Sequence, residues 1–270
     1  MIGKYLCLVV ALFCAASAAP ESRIVGGTPT TIEEFPYMAA FIYHYPRPDI
    51  YIQRCVGSII SSYHVLTTAY CFTGANLENM NIRVGSTNSL EGGQMVGIRN
   101  VVQNPNYVES PRAGDIAVVF LAEPIFISNN INIVYLPPAG QNIPDGLPTE
   151  IISWGFESEQ GPQLENLKTV TVTTIPLADC QASFENENVT ISDDVICTNA
   201  ADKGVCTGDS GAPLVYNSVL FGISSVFKDC GSDEYPDVFT RIDSYTEWIV
   251  EVTRATKTGS MQSLPRIADV

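Results

Sequence analysis

Three short segments hold side chains that could together break an acyl bond. Gly208-Asp209-Ser210-Gly211-Ala212-Pro213 places a serine between two glycines, where a tight backbone exposes the hydroxyl. Gly114-Asp115-Ile116-Ala117 offers an acidic residue at the start of an apolar run. Thr68-Ala69-Tyr70-Cys71 ends on a half-cystine. A serine hydroxyl is a weak nucleophile at its own pKa and needs a neighbouring base. Histidine is the usual base, oriented by a buried carboxylate, with backbone N–H groups holding the developing oxyanion.

These segments, in this order and with these flanking cysteines, resemble the trypsin/chymotrypsin family of serine peptidases over residues 24–253. Arg23-Ile24-Val25-Gly26-Gly27 resembles the family's zymogen activation junction, and the wording of Pro36-Tyr37-Met38 and Gly92-Gly93 is most similar to insect members. The resemblance implies Ser210 as nucleophile, Asp115 as orienting carboxylate, and Gly208 and Ser210 as oxyanion-hole donors. It also implies that cleavage after Arg23 frees Ile24 to bury its ammonium beside Asp209. The histidine position falls on Tyr70, because Cys71 on one side and Ile59-Ile60-Ser61-Ser62 on the other leave no room for a gap.

A phenol has a reference pKa of about 10, so near neutral pH it donates a proton and does not accept one. Tyr70 is therefore expected to donate to Asp115 or to water. The chain has two histidines, His44 and His64, and both read as ordinary surface or packing residues. Losing the base of such a triad lowers turnover by about a millionfold. The expected function is that of a non-catalytic serine protease homologue. It would bind proteins: a protease, an inhibitor or a substrate-like loop. The alternative is a working endopeptidase, which would need another base.

The specificity pocket also departs from the family pattern. Gly204 stands where trypsins place an aspartate, and Asp237 stands where they place a glycine, an arrangement that resembles some crustacean and insect collagenase-type enzymes. Ser225-Val226-Phe227 replaces the usual Ser-Trp-Gly, so a narrowed pocket with an acidic interior is expected.

The elements that must position these groups read as short strands. Ile82 to Val84, Ile116 to Leu121 and the Thr/Val alternation of Leu167 to Ile175 carry strand patterns between Gly, Pro and Asn clusters. This predicts an all-β sandwich or barrel, and the resemblance narrows it to two packed six-stranded antiparallel barrels with a C-terminal helix. That helix is expected from a Ser244/Glu247 capping box followed by Tyr245, Trp248, Ile249 and Val252 on one face.

Address and partners follow from composition. Lys4, the apolar run Tyr5 to Ala15 and Ala16-Ser17-Ala18 read as a signal peptide over residues 1–18. Residues 19–23 read as a short propeptide and 254–270 as a polar tail. A secreted, extracellular monomer is expected. Of eight cysteines, Cys7 and Cys14 fall in the signal. Cys55, Cys71, Cys180, Cys197, Cys206 and Cys230 remain as a disulfide set whose pairing arithmetic leaves open. The resemblance pairs Cys55 with Cys71, Cys180 with Cys197, and Cys206 with Cys230. Asn188-Val189-Thr190 is a glycosylation sequon. The formal charge is −15, and residues 1–23 carry a surplus of positive charge, so the chain from Ile24 is more acidic still. Such a surface repels nucleic acid and anionic lipid and favours basic partners. Neither a metal nor a cofactor is implied.

Overall fold

The computed structural model describes residues 25–156, 158, 160–187 and 189–255. The signal, propeptide, Arg23, Ile24, Asn188 and most of the polar tail lie outside the described residues.

Among the described residues, twelve of thirteen strands, all paired antiparallel, build two closed barrels. The first contains β2 (Met38–Pro46), β3 (Asp49–Ser61), β4 (His64–Thr67), β5 (Met80–Val84), β6 (Gln94–Gln103) and β7 (Ala117–Leu121). It closes in the order β2-β3-β4-β7-β6-β5. The second contains β8 (Pro148–Ser153), β9 (Lys168–Ile175), β10 (Val195–Asn199), β11 (Pro213–Tyr216), β12 (Val219–Val226) and β13 (Asp237–Arg241). It closes because β8 pairs with both β9 and β11. The short β1 (Thr28–Pro29) lies against β9.

Closure leaves no long unpaired edge and turns alternate side chains inward. β9 shows this directly: Lys168, Val170, Val172 and Thr174 are buried, while Thr171 and Thr173 are exposed. β7 is buried along its whole length, so it reads as a continuous apolar run. Phe41, Phe120, Trp154 and Phe239 are the largest fully buried side chains. Each contributes roughly 1.5–3 kcal/mol by leaving water.

The disulfides are Cys55–Cys71, Cys180–Cys197 and Cys206–Cys230, the pairing implied by the resemblance. Helix α1 (Leu177–Ser183) carries Cys180 and was not expected, because a seven-residue helix is too short to show an apolar period. Helix α2 (Thr246–Ala255) is the expected C-terminal helix, but it starts later than the capping box predicts. Ile242–Ser244 instead form a separate 3-10 turn, and the Thr246 hydroxyl donates to Ile242 O and Pro137 O. Ile249 packs into the main core, with Tyr245, Trp248 and Val252 half-buried around it.

Candidate active site

The seam between the barrels brings the three chemical segments together. β4 and β7 are paired with Thr67 opposite Ala117, so the residues just after β4 and just before β7 share one end of the first barrel. Those residues are Tyr70 and Asp115. Tyr70 sits in a 3-10 turn, Ala69–Phe72, that the Cys55–Cys71 disulfide ties to β3. Ser210 arrives from the second barrel, where its carbonyl accepts from Val56 N–H across the seam at 2.9 Å. Gly211 makes this approach possible. Its φ is +84°, and a Cβ there would lie 2.1 Å from Val56 O. Only glycine fits. The Cys206–Cys230 disulfide anchors the same segment to the loop after β12.

Asp115 is buried and held at both carboxylate oxygens. Its Oδ1 accepts the Tyr70 backbone N–H at 2.8 Å, and its Oδ2 accepts the Ser225 hydroxyl at 2.6 Å. Its carbonyl accepts the Thr240 hydroxyl at 2.8 Å, which locks it to β13. Burial pushes its carboxyl up; the bonds from Ser225 and Tyr70 and the nearby Arg112 oppose that push.

Of the two expected acceptors, Asp115 is not bonded by the Tyr70 phenol among the described residues; a different contact is made there. The main-chain N–H of Tyr70 bonds Asp115. The ring of Tyr70 is stacked by Arg112, whose guanidinium carbon lies 3.8 Å from the ring centroid. Arg112 also donates to Ser225 O. Its Nε lies 3.9 Å from Asp115 Oδ2. Sequence reasoning missed Arg112 because it comes from a loop, pinned by the Val108–Ala113 bridge, that carries no motif.

Neither histidine reaches this place. His64 is buried inside the first barrel, with Nδ1 2.6 Å from the Ser61 hydroxyl and its ring edge-on to Phe120. Burial, aided by Arg99, lowers its pKa to about 4. His44 stacks on Tyr51 and bonds Asp49 at 2.6 Å in the β2–β3 hairpin. Both fit the packing and surface roles expected of them.

Gly208, with φ +88°, adopts the turn needed beside Ser210. The Gln53 amide donates to Gly208 O and to Cys55 O, and Gln163 bonds Gln53 in turn. This polar brace was also missed, because both glutamines lie outside any motif. Asp209 is fully buried and accepts from Gly155 N–H at 2.9 Å and Cys206 N–H at 2.8 Å. Burial raises its pKa to about 7, against those bonds and one from Ser153. Val25, the first residue described, pairs with Gly204.

A cavity of about 260 Å³ opens beside Ser210, lined by Tyr70, Arg112, Ser225, Val226 and Phe227 among others. Phe227 thus borders this cavity, whereas Gly204 and Asp237 do not line it. Asp237 is buried behind that wall, its Oδ2 accepting Val205 N–H at 2.9 Å. A Cβ on Gly204 would lie 2.2 Å from that same oxygen, so glycine and carboxylate are fitted to each other. The acidic interior needs correction. Burial, reinforced by Asp209, raises Asp237 to about 8, so at neutral pH the group is mostly a neutral carboxyl.

A pH prediction follows. In the folded chain the pKa of Asp237 lies far above the ordinary aspartate value of 3.8. Between those values the folded chain holds a proton that the unfolded chain has lost. Stability from this group is therefore full below about pH 4 and declines up to about pH 8, by up to ~1.4 kcal/mol per unit. In thermal melts, Asp237→Asn should flatten the decline across that window. An unchanged slope would show that Asp237 ionises freely.

Among the described residues, no group of three or more His, Cys, Asp or Glu side chains is placed to hold a metal, and no helix is long and apolar enough to cross a membrane.

Comparisons with known proteins agree with this fold. The family model described as Trypsin matches residues 24–249. The trypsin named alkaline C of Manduca sexta is 32% identical over 250 residues, covering 91% of this chain and 97% of that protein. The trypsin of Phaedon cochleariae is 31% identical over 242 residues, covering 87% and 90%. Among solved structures, human heparin binding protein superposes with a TM-score of 0.75 at 23% identity, over 87% of this chain and 99% of that one. At that identity the likeness speaks for the fold.

Proposed function

The chain belongs to the trypsin family of serine peptidases, and from that premise we propose that it is a secreted, non-catalytic member that works by binding proteins through its cleft. One observation carries this reading. The position flanked by Asp115 and Ser210 holds Tyr70, its ring covered by Arg112, while both histidines are engaged elsewhere. A phenol hydroxyl near neutral pH gives a proton and does not take one. Ser210 then has no partner to activate it. A residual ~10³–10⁴-fold acceleration over water from binding and oxyanion contacts is the most such a site retains. The ligand in the name heparin binding protein does not suit this chain, whose net charge of −15 repels a polyanion. Secretion is supported by the signal-like residues 1–18, and activation by Arg23-Ile24 ahead of the buried Asp209.

The second reading is a working endopeptidase. The names of the trypsin relatives favour it, as do Ser210, Asp115 and Gly208.

Fluorophosphonate labelling separates the two, because the reagent needs an activated serine. With the purified chain cleaved after Arg23, labelling of Ser210 should be no faster than that of the heat-denatured chain. Rapid stoichiometric labelling would establish the endopeptidase and end the non-catalytic reading.

A further inference from the structure

The cleft already contains a cation, and that cation belongs to the chain itself. Arg112 lays its guanidinium on the face of Tyr70 at 3.8 Å, donates to Ser225 O and approaches Asp115 Oδ2 at 3.9 Å. These three groups are what a guanidinium needs: a π face, a carbonyl acceptor and a carboxylate. Ser225 lies at a register shift between β12 and β13, so its carbonyl turns out of the ladder and is open to a side chain.

Arg112 fills this place imperfectly. It sits three residues before Asp115, and its Nε is buried without a hydrogen-bond partner among the described residues. The 3.9 Å separation from Asp115 is too long for a hydrogen bond. A guanidinium arriving on a separate chain carries no such tether. The surroundings also favour a cation, since the chain has a net charge of −15.

We propose that Tyr70, Ser225 O and Asp115 form a receptor for a basic side chain, and that an arginine of a protein partner exchanges with Arg112 there. This rests on the reading of the cleft as a binding site, and it names the chemistry the cleft takes. The receptor is separate from the Gly204–Asp237 pair, which does not line this cavity. Tyr70 then supplies the aromatic face of the receptor.

Agmatine, decarboxylated arginine with its guanidinium and a primary amine, is the probe, and calorimetric titration at low salt is the measurement. Arg112→Ala should bind agmatine at least tenfold more tightly than the unaltered chain. Adding Tyr70→Leu to Arg112→Ala should remove that gain, as should adding Asp115→Asn. Thermal melting checks that each variant folds, and Arg112→Gln, which keeps a shorter polar side chain without the charge, should gain in the same direction. Three results overturn the proposal: no gain in either Arg112 variant, a gain that survives Tyr70→Leu, or a gain that disappears with Asp237→Asn. The last would place the cation at the Gly204–Asp237 pair instead. Labelling of Ser210 is read independently, so a working serine would overturn the non-catalytic reading without touching this result.

Discussion

Tyr70→His should raise the rate of fluorophosphonate labelling at Ser210 by ~10²–10⁴-fold, the usual contribution of a positioned general base. The backbone is already suited to it. Tyr70 N–H holds Asp115 Oδ1 at 2.8 Å, a bond that does not depend on the side chain. The Asp115 Oδ2 that accepts from Ser225 retains a further lone pair for an imidazole N–H. Arg112, now stacked on the ring, would disfavour a charged imidazolium and so keep the new histidine neutral and able to accept. The same cation opposes the imidazolium that forms during turnover. Labelling should therefore recover more fully than hydrolysis of amide substrates, and adding Arg112→Ala should narrow the gap. An unchanged labelling rate in a folded Tyr70→His variant would mean that the site has lost more than its base. A fast rate before the substitution would mean that the base was never missing.

Why Tyr70 was legible while Arg112 was not comes down to how each is positioned. Tyr70 is fixed by covalent neighbours: Cys71, its disulfide to Cys55, and a strand that runs without a gap into the 3-10 turn. Ser210 and Asp115 sit in short motifs whose glycines have a backbone reason, as the +84° φ of Gly211 shows. Arg112 reaches the cleft only because the Val108–Ala113 bridge closes its loop and the second barrel brings Ser225 to meet it. No spacing rule connects residues that meet across two barrels. The strand pattern was readable where one face is buried, as in β9, because burial there has period two. Helix α1 gave no such signal. The disulfide pairing was open to arithmetic and came only through the family likeness.

Gly204 and Asp237 offer the sharpest test of packing, and Gly204→Asp should be the most damaging substitution in the pocket. The glycine has φ +148°, a conformation L residues rarely adopt, which costs about 1–3 kcal/mol. Its Cβ would stand 2.2 Å from Asp237 Oδ2. A second carboxylate would then share a buried space with Asp237 and with Asp209, both already pushed up by burial. The new carboxyl would be held neutral by the same burial, and a buried polar group left without its partners costs about 1–3 kcal/mol. Domains are stable by only about 5–15 kcal/mol, so this one change should consume a large part of the total. Its melting temperature should fall by on the order of 10 °C. Asp237→Gly added to Gly204→Asp moves the carboxylate to the opposite wall and removes the clash. The double variant should regain more than half of the loss, giving a coupling of about 2–3 kcal/mol, while the backbone strain remains. Gly204→Ala isolates that strain, because it adds a methyl without a charge. If the double variant is as unstable as the two single effects added together, the sites are independent and the carboxylate was not exchanged between walls. Recovery would show that this pocket has room for one carboxylate, on either wall, and that the chain keeps it at Asp237.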